Sequence, residues 1–282
     1  MGQVLVTGAA GNVGREVVSH LLAKGASVKA AVFSAKQGVL PGGVGRVRFD
    51  FADPSTYPDA LDGVDRLFLL RPPQIADVQR CLFPLIDDAL AQGVRQIAFL
   101  SLQGAEFNLF TPHHKVEKYL RARKAPFTFL RPNFYMQNLS TFYQVDIRDR
   151  SEIFLPAGKG KTAFIDVRDI GAVAARVLTE EGHIGKAYTL SGPESLDYFQ
   201  VAQTLSVVLG REIRYAAPSV GEYVDRLRQQ KTAEDFIKVQ KMLYFVVRHN
   251  FSASTRSDTE ALLGRALISL KEFVEDFRRA WL

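Results

Sequence analysis

The chain has one cysteine, one tryptophan and three methionines in 282 residues. A single thiol, Cys81, cannot close an internal disulfide, which excludes a bridge-stapled secreted scaffold and points to a reducing cytoplasm. Cys81 lies in an amphipathic helical pattern, where a small buried hydrophobe is expected rather than a reactive nucleophile. No apolar run approaches the roughly 18 to 20 residues of a membrane helix, and no charged segment with an apolar core precedes the first strand pattern. Neither a span nor a secretory leader is expected. Histidine is scarce as well: five, without cysteine partners or H-E-x-x-H spacing, so no zinc site is expected. Internal repeats and low-complexity tracts are missing.

What is there suits a soluble core-forming chain: 47% hydrophobic and 23% charged residues, enough for one large or two closely joined domains. The formal charge is +6 and the pI about 9.4. The excess sits in residues 1–150, with 18 Lys and Arg against 13 acids, whereas 151–282 carry 18 against 17. Part of it is Lys115, Lys118, Arg121, Arg123 and Lys124 on one predicted helix, with Glu117 beside them. This reads as a solvated helix face, or as a surface for an acidic protein partner. With no helix-turn-helix or RNA-binding signature beside it, nucleic acid is not favoured.

The strongest local signal is the first fourteen residues. Val4-Leu5-Val6 reads as a strand running into Thr7 and then Gly8, Gly11 and Gly14 in the spacing G-x-x-G-x-x-G. Glycines there let the chain turn sharply, let a pyrophosphate approach the backbone and let the next helix pack against the strand. That helix, about Asn12 to Lys24, offers unpaired N–H groups and the positive end of its dipole to an anion. Strand and helix patterns then alternate: strands Ser27–Val32, Val47–Phe49, Arg66–Leu70, Gln96–Leu100 and Phe127–Leu130, with helices Pro54–Leu61, Ile75–Gln92 and His113–Arg123 between them. The implied fold is α/β, a doubly wound parallel sheet of Rossmann type, with ligands expected beyond the carboxyl ends of the strands.

Beyond Arg131 the pattern loosens. Ile153–Leu155 and Ala187–Leu190 read as short strands, and Val167–Leu178 and Ser195–Leu209 as helices, the last capped by Ser195 and closed at Gly210. The expected division is a dinucleotide-binding domain over 1–150 and a smaller α+β, mostly helical substrate-binding region over 151–282.

Several phrases recur in order: Val6-Thr7-Gly8-Ala9-Ala10-Gly11-Asn12-Val13-Gly14, Phe49-Asp50-Phe51-Ala52-Asp53, Leu70-Arg71-Pro72-Pro73, Leu130-Arg131-Pro132-Asn133-Phe134-Tyr135-Met136-Gln137-Asn138, Phe164-Ile165-Asp166-Val167-Arg168-Asp169-Ile170, and Leu190-Ser191-Gly192-Pro193. Together they resemble the NmrA-like branch of the atypical short-chain dehydrogenase/reductase superfamily, which includes quinone reductase and festuclavine dehydrogenase-like branches, over nearly the whole chain. The resemblance implies a Rossmann fold and a nicotinamide dinucleotide. It implies chemistry less narrowly, because the family holds both NADPH-dependent reductases and redox sensors that bind dinucleotide without evident turnover.

The resemblance places Thr7, Gly8, Ala10, Gly11, Asn12, Val13 and Gly14 at the pyrophosphate, and Asp50 and Phe51 on the adenine side. Leu70, Arg71 and Pro72 then flank the pyrophosphate and nicotinamide ribose, Ser101 touches the cofactor, and Asn133 and Phe134 meet the nicotinamide. Plainer roles stand beside these: Asp50 as a turn residue before the Asp53-Pro54 helix start, Ser101 as an ordinary strand-end turn, the prolines as strand stops. After the second strand come Phe33, Ser34, Ala35 and Lys36, with no acid to hold a ribose hydroxyl and repel a 2′-phosphate. NADP(H) is therefore favoured over NAD(H), although relatives using NADP usually carry Arg where Phe33 stands. Phe33 would stack on adenine, and Ser34, Lys36 and Arg15 would meet the phosphate.

Ordinary members of the superfamily use Tyr-x-x-x-Lys, and none of the nine tyrosines here has Lys four positions on; Tyr119 precedes Arg123 and Tyr244 precedes Arg248. The helix that would carry the pair begins Thr111-Pro112-His113-His114. By resemblance His113 lies beside the nicotinamide, as proton donor or substrate orienter; otherwise it decorates an exposed first turn. Phe107, Phe110 and Tyr135, in a stretch dense in aromatics, are expected at the pocket mouth, where a flat apolar substrate would suit them. The expected function is an NADPH-dependent reductase of a small apolar electrophile such as a quinone or enone. The alternative is a non-enzymatic NADP(H) sensor acting through a protein partner.

Overall fold

The computed structural model describes residues 2–34, 40–42 and 44–282. In chain order the elements are β1 (Gln3–Val6), α1 (Asn12–Ala23), β2 (Val28–Val32), β3 (Gly45–Arg48), α2 (Tyr57–Leu61), β4 (Val64–Leu70), α3 (Val78–Cys81), α4 (Phe83–Ala91), β5 (Gln96–Leu100), α5 (Pro112–Ala122) and β6 (Phe127–Pro132). Then come α6 (Gln144–Arg150), β7 (Glu152–Ile153), β8 (Lys161–Thr162), α7 (Val167–Thr179), β9 (Lys186–Leu190), β10 (Leu196–Asp197), α8 (Tyr198–Leu209) and β11 (Arg214–Tyr215). Helices α9 (Val220–Gln229), α10 (Glu234–Arg248), α11 (Thr259–Leu263) and α12 (Leu270–Asp276) complete the chain.

The chain forms two compact units. The first comprises residues 1–132, 167–190 and 258–265, and the second 133–166, 191–257 and 266–282. The expected boundary at 150 thus falls inside the second unit, and α7 and β9, assigned from sequence to the C-terminal region, belong to the first. The reason is pairing: β9 runs parallel to β6, Thr128 opposite Lys186 through Pro132 opposite Leu190, and α7 packs on α1. At that crossing a Cβ on Gly171 would come within 2.8 Å of the Glu16 backbone, so only glycine admits this approach.

The first unit is a seven-stranded sheet in the order β3-β2-β1-β4-β5-β6-β9, every neighbouring pair parallel. Continuous burial of β5 and near-continuous burial of β4 and β6 fits a sheet covered on both faces. On one face Leu5, Leu67, Leu69, Ile97, Phe99 and Phe129 pack with α2, α4 and α5 through Leu61, Leu85, Ile86, Val116 and Leu120. α1 and α7 cover the other. The single helix expected over Ile75–Gln92 is broken into α3 and α4 because Pro84, near the start of α4, lacks the N–H that would continue the ladder.

The second unit is mostly helical, with two small ribbons: β10 antiparallel to β8 and β11 parallel to β7. Its core includes Ile147, Ile153, Leu155, Leu205, Tyr244, Phe273 and Trp281. Helix α8 starts later than Ser195. Leu196 and Asp197 are held in the ribbon opposite Thr162 and Lys161, so Asp197 caps the helix, closing a reciprocal box with Gln200. Its expected end at Gly210, left-handed at φ 70°, is observed.

Candidate functional site

Because β1 to β6 are parallel, the segments that follow them lie along one edge of the sheet, and this edge collects most of the candidate residues. After β1 the chain turns through Gly8 at φ 64°, and Gly11 N–H donates to Gly8 O at 2.9 Å. A Cβ on Gly14 would fall 2.1 Å from Gly8 O and one on Gly8 3.0 Å from a Leu70 methyl, so the glycines are fixed by close approach as well as by φ. Gly11 is the N-cap of α1, with no side chain capping it and no acid in the first turn. Gly11 and Asn12 are exposed, Ala10 is half-buried, and Val13 packs inward. The arrangement fits a pyrophosphate laid over backbone N–H groups.

Around this turn several side chains expected at the cofactor make hydrogen bonds or packing contacts within the protein. The Thr7 hydroxyl donates to Phe68 O at 3.0 Å and accepts from Leu70 N–H at 2.8 Å. Fully buried, it ties β1 to β4 and is not presented to a ligand. Phe51 is also core, with its ring 4.8 Å from that of Phe49, which leaves only its backbone for an adenine. The Asp50 carboxylate accepts from Ala52 N–H at 2.8 Å, the turn role weighed for it, and Asp53 caps the short helical turn at Pro54–Thr56. Phe33 is 66% exposed at the end of β2 and Ser34 is exposed beside it, while Lys36 lies outside the described residues. Arg71 donates to the carbonyls of Pro72, Pro73 and Ile75, clamping the loop after β4.

After β5 the segment 101–113 folds into tight turns. His114 Nδ1 lies 2.9 Å from Ala105 O, and Thr111 caps α5 by accepting from His114 N–H, with Pro112 beginning the helix. Phe107 and Phe110 stand outside at 84% and 90% exposed. His113 is turned inward, its ring 6.1 Å from that of buried Phe99, and its Nδ1 is buried without a hydrogen-bond partner. Burial, and then the charge of Arg71, push His113 down to about 3. The ring is neutral at physiological pH and keeps a single N–H, which fits an orienting hydrogen bond better than the part of an imidazolium proton donor.

One helical turn on, Glu117 occupies the same inward face. It was counted from sequence among the charges of a basic helix, but it is 3% exposed. Arg131 Nε and Nη2 donate to its two oxygens at 2.9 and 2.6 Å, and Ser101 Oγ donates to it at 2.7 Å. Arg131 Nη1 reaches Glu106 at 2.9 Å. Ser101 is therefore part of a buried charge network linking β5, α5 and β6, and its hydroxyl is directed to Glu117 rather than to the expected cofactor. The signal available in the sequence was the spacing of His113, Val116, Glu117 and Leu120, which marks one helix face. Lys115, Lys118, Arg121, Arg123 and Lys124 are on the exposed side; Arg121 lies over the Phe127 ring and Arg123 pairs with Asp87 at 2.8 Å.

Neither tyrosine followed by Arg is an activated phenol. Burial and a 2.7 Å hydrogen bond to Asp87 raise Tyr119, and burial raises Tyr244. In the second unit Asn133, expected at the nicotinamide, has its amide committed to structure: Nδ2 donates to Ser252 O at 2.8 Å and Oδ1 accepts from Phe134 N–H at 2.8 Å. Phe134 packs against that unit's core, and Tyr135 is half-buried and bridged to Ile165. Among the described residues no cluster of side chains could hold a metal ion, and no helix is long and apolar enough to cross a membrane.

The chain is 30% identical over 283 positions to an NAD(P)H azoreductase of Xenophilus azovorans, with 96% of each chain covered. A triphenylmethane reductase of Citrobacter sp., solved complexed with NADP(H), matches with a TM-score of 0.84 and 27% identity over 97% of this chain and 99% of that one. An NADPH-dependent quinone oxidoreductase of Escherichia coli, solved with NADPH, matches with a TM-score of 0.86 and 25% identity over 98% and 99%. The NmrA-like family model matches residues 1–266, and the chain belongs to the NmrA-like family.

Proposed function

We propose that this protein is an NADPH-dependent reductase of a small, flat, apolar electrophile such as a quinone or enone. The observation that carries the proposal is the tight glycine turn from Gly8 to Gly14, which leads into the start of α1 with no side-chain cap, in a chain similar along its length to NAD(P)H reductases. The dinucleotide would supply hydride from its nicotinamide ring. Gly11, Asn12, Val13 and Gly14 hold the pyrophosphate through backbone groups, and the Arg71 clamp fixes the loop after β4. Phe33 and Ser34 bring no acid to the end of β2, which supports NADP(H) over NAD(H).

With a neutral His113 and no Tyr-Lys pair, the residues supply little acid–base chemistry, and rate comes chiefly from orientation. A quinone suits this scarcity, because water can protonate the reduced product. His113 offers a hydrogen bond from a dry wall to the acceptor's oxygen, and Phe107 and Phe110 offer aromatic surface to its ring. The test is NADPH oxidation, followed by absorbance, against a panel of quinones and enones. Acceptor-dependent decay is expected, with His113→Ala raising KM more than it lowers kcat. Dinucleotide binding without decay against any acceptor would favour the sensor reading.

A further inference from the structure

The second unit contains an aromatic pocket that the proposed reductase chemistry does not use. Phe142, Tyr143, Phe154, Tyr223 and Phe236 wall a space of about 100 Å³. Phe142 and Phe236 face each other with ring centroids 6.5 Å apart, and Phe154 and Tyr223 at 6.4 Å. Phe142 is 68% exposed and Phe236 40%, so the mouth itself is aromatic. Apolar cavities of about 150 Å³ accept a benzene ring. A partly open space somewhat smaller takes one ring with an edge outside. Arg226 and Gln230 border this pocket and also a wider polar groove of about 680 Å³, so the two spaces adjoin.

The three arginines of the groove are already paired with carboxylates, while Glu222 caps α9 through Ser219 and Asp225 is a further carboxylate on the lining. Arg226 donates to Glu152 at 3.0 Å and Asp146 at 2.8 Å, with its guanidinium 4.1 Å above the Phe154 ring. Arg150 pairs with Asp146 at 3.2 Å and Arg214 with Glu152 at 3.1 Å. An anionic ligand would have to displace these partners from the arginines and face Glu222 and Asp225, whereas a neutral hydrogen-bonding group can use Gln230 and the outer faces of the ion pairs. We propose that this pocket binds a single flat aromatic ring carrying a neutral, hydrogen-bonding substituent, the ring among the aromatic walls and the substituent in the polar groove.

The probe is para-fluorobenzamide, followed by fluorine NMR line broadening on the full chain without dinucleotide, which keeps the result independent of the reductase reading. Broadening is expected, reversed by benzamide and not by cyclohexanecarboxamide. Phe142→Ala and Phe236→Ala should each weaken binding about 3- to 10-fold, the scale of one aromatic contact, with circular dichroism unchanged. Phe110→Ala, in the first unit, should leave it unaltered. Absence of broadening, equal displacement by cyclohexanecarboxamide, or affinity that ignores Phe142 and Phe236 and follows Phe110 would overturn the proposal.

Discussion

Two neighbouring segments of one sheet edge organise polar chemistry in opposite ways. The turn after β1 is built from the backbone, fixed by φ and close approach, and the α1 N-terminus it leads into has no side-chain cap. The inward face of α5 is a side-chain device, where Glu117, Arg131, Ser101 and Glu106 satisfy one another under cover while His113 beside them keeps a buried nitrogen unpartnered. A backbone site needs one stretch of sequence and can be read from it. A side-chain site needs residues from three elements and cannot.

The comparison breaks hardest at Glu117. Glu117→Ala leaves the Arg131 guanidinium buried beside Glu106 alone, and unfolding in urea should show a loss of about 3–5 kcal/mol. Replacing both partners, Glu117→Ala with Arg131→Met, should recover part of that loss, since the desolvation cost disappears with the charge. A double variant no better than the single one would show that the network acts through shape rather than charge.

Gly14→Ala attacks the backbone device. With its Cβ 2.1 Å from Gly8 O, the turn must open, at a cost of about 1–3 kcal/mol. Dinucleotide binding should fall far more than stability does, which calorimetry on the folded variant would detect. Equal affinity in wild type and variant would mean that the turn packs and does not bind.

A pH-dependent effect sharpens the reading of His113. Its folded-state value, about 3, lies below the ordinary 6.5, so between these values the unfolded chain binds the extra proton. Its contribution is fully present above pH 6.5 and is lost as pH falls towards 3. His113→Gln should therefore flatten the fall of melting temperature with acid over that window. Unchanged acid sensitivity would place the imidazole in solvent.

The same contrast explains what the sequence disclosed. Strand and helix order, the parallel sheet and the glycine turn were legible because period and glycine spacing are local. Hidden were the partners of Thr7 on β4, of Asn133 at Ser252 and of Glu117 at Arg131, since pairing across many residues leaves no local trace. Thr7 and Asn133 looked like ligand contacts because polar residues at strand ends serve ligands and structure equally well, and Glu117 looked like one more charge on a solvated helix face. The helix start at Asp197 was missed for a related reason: the ribbon that holds Leu196 and Asp197 depends on Lys161 and Thr162, some thirty-five residues earlier.

Dinucleotide recognition by the turn after β1 is open to a direct measurement. Calorimetric titration of the full chain with NADPH, NADP, NADH and NAD should give one-site binding, tighter for the phosphorylated pair because the end of β2 carries no acid. No heat with any of the four, from a chain whose melting temperature they also leave unchanged, would contradict it and leave the glycine turn as architecture alone.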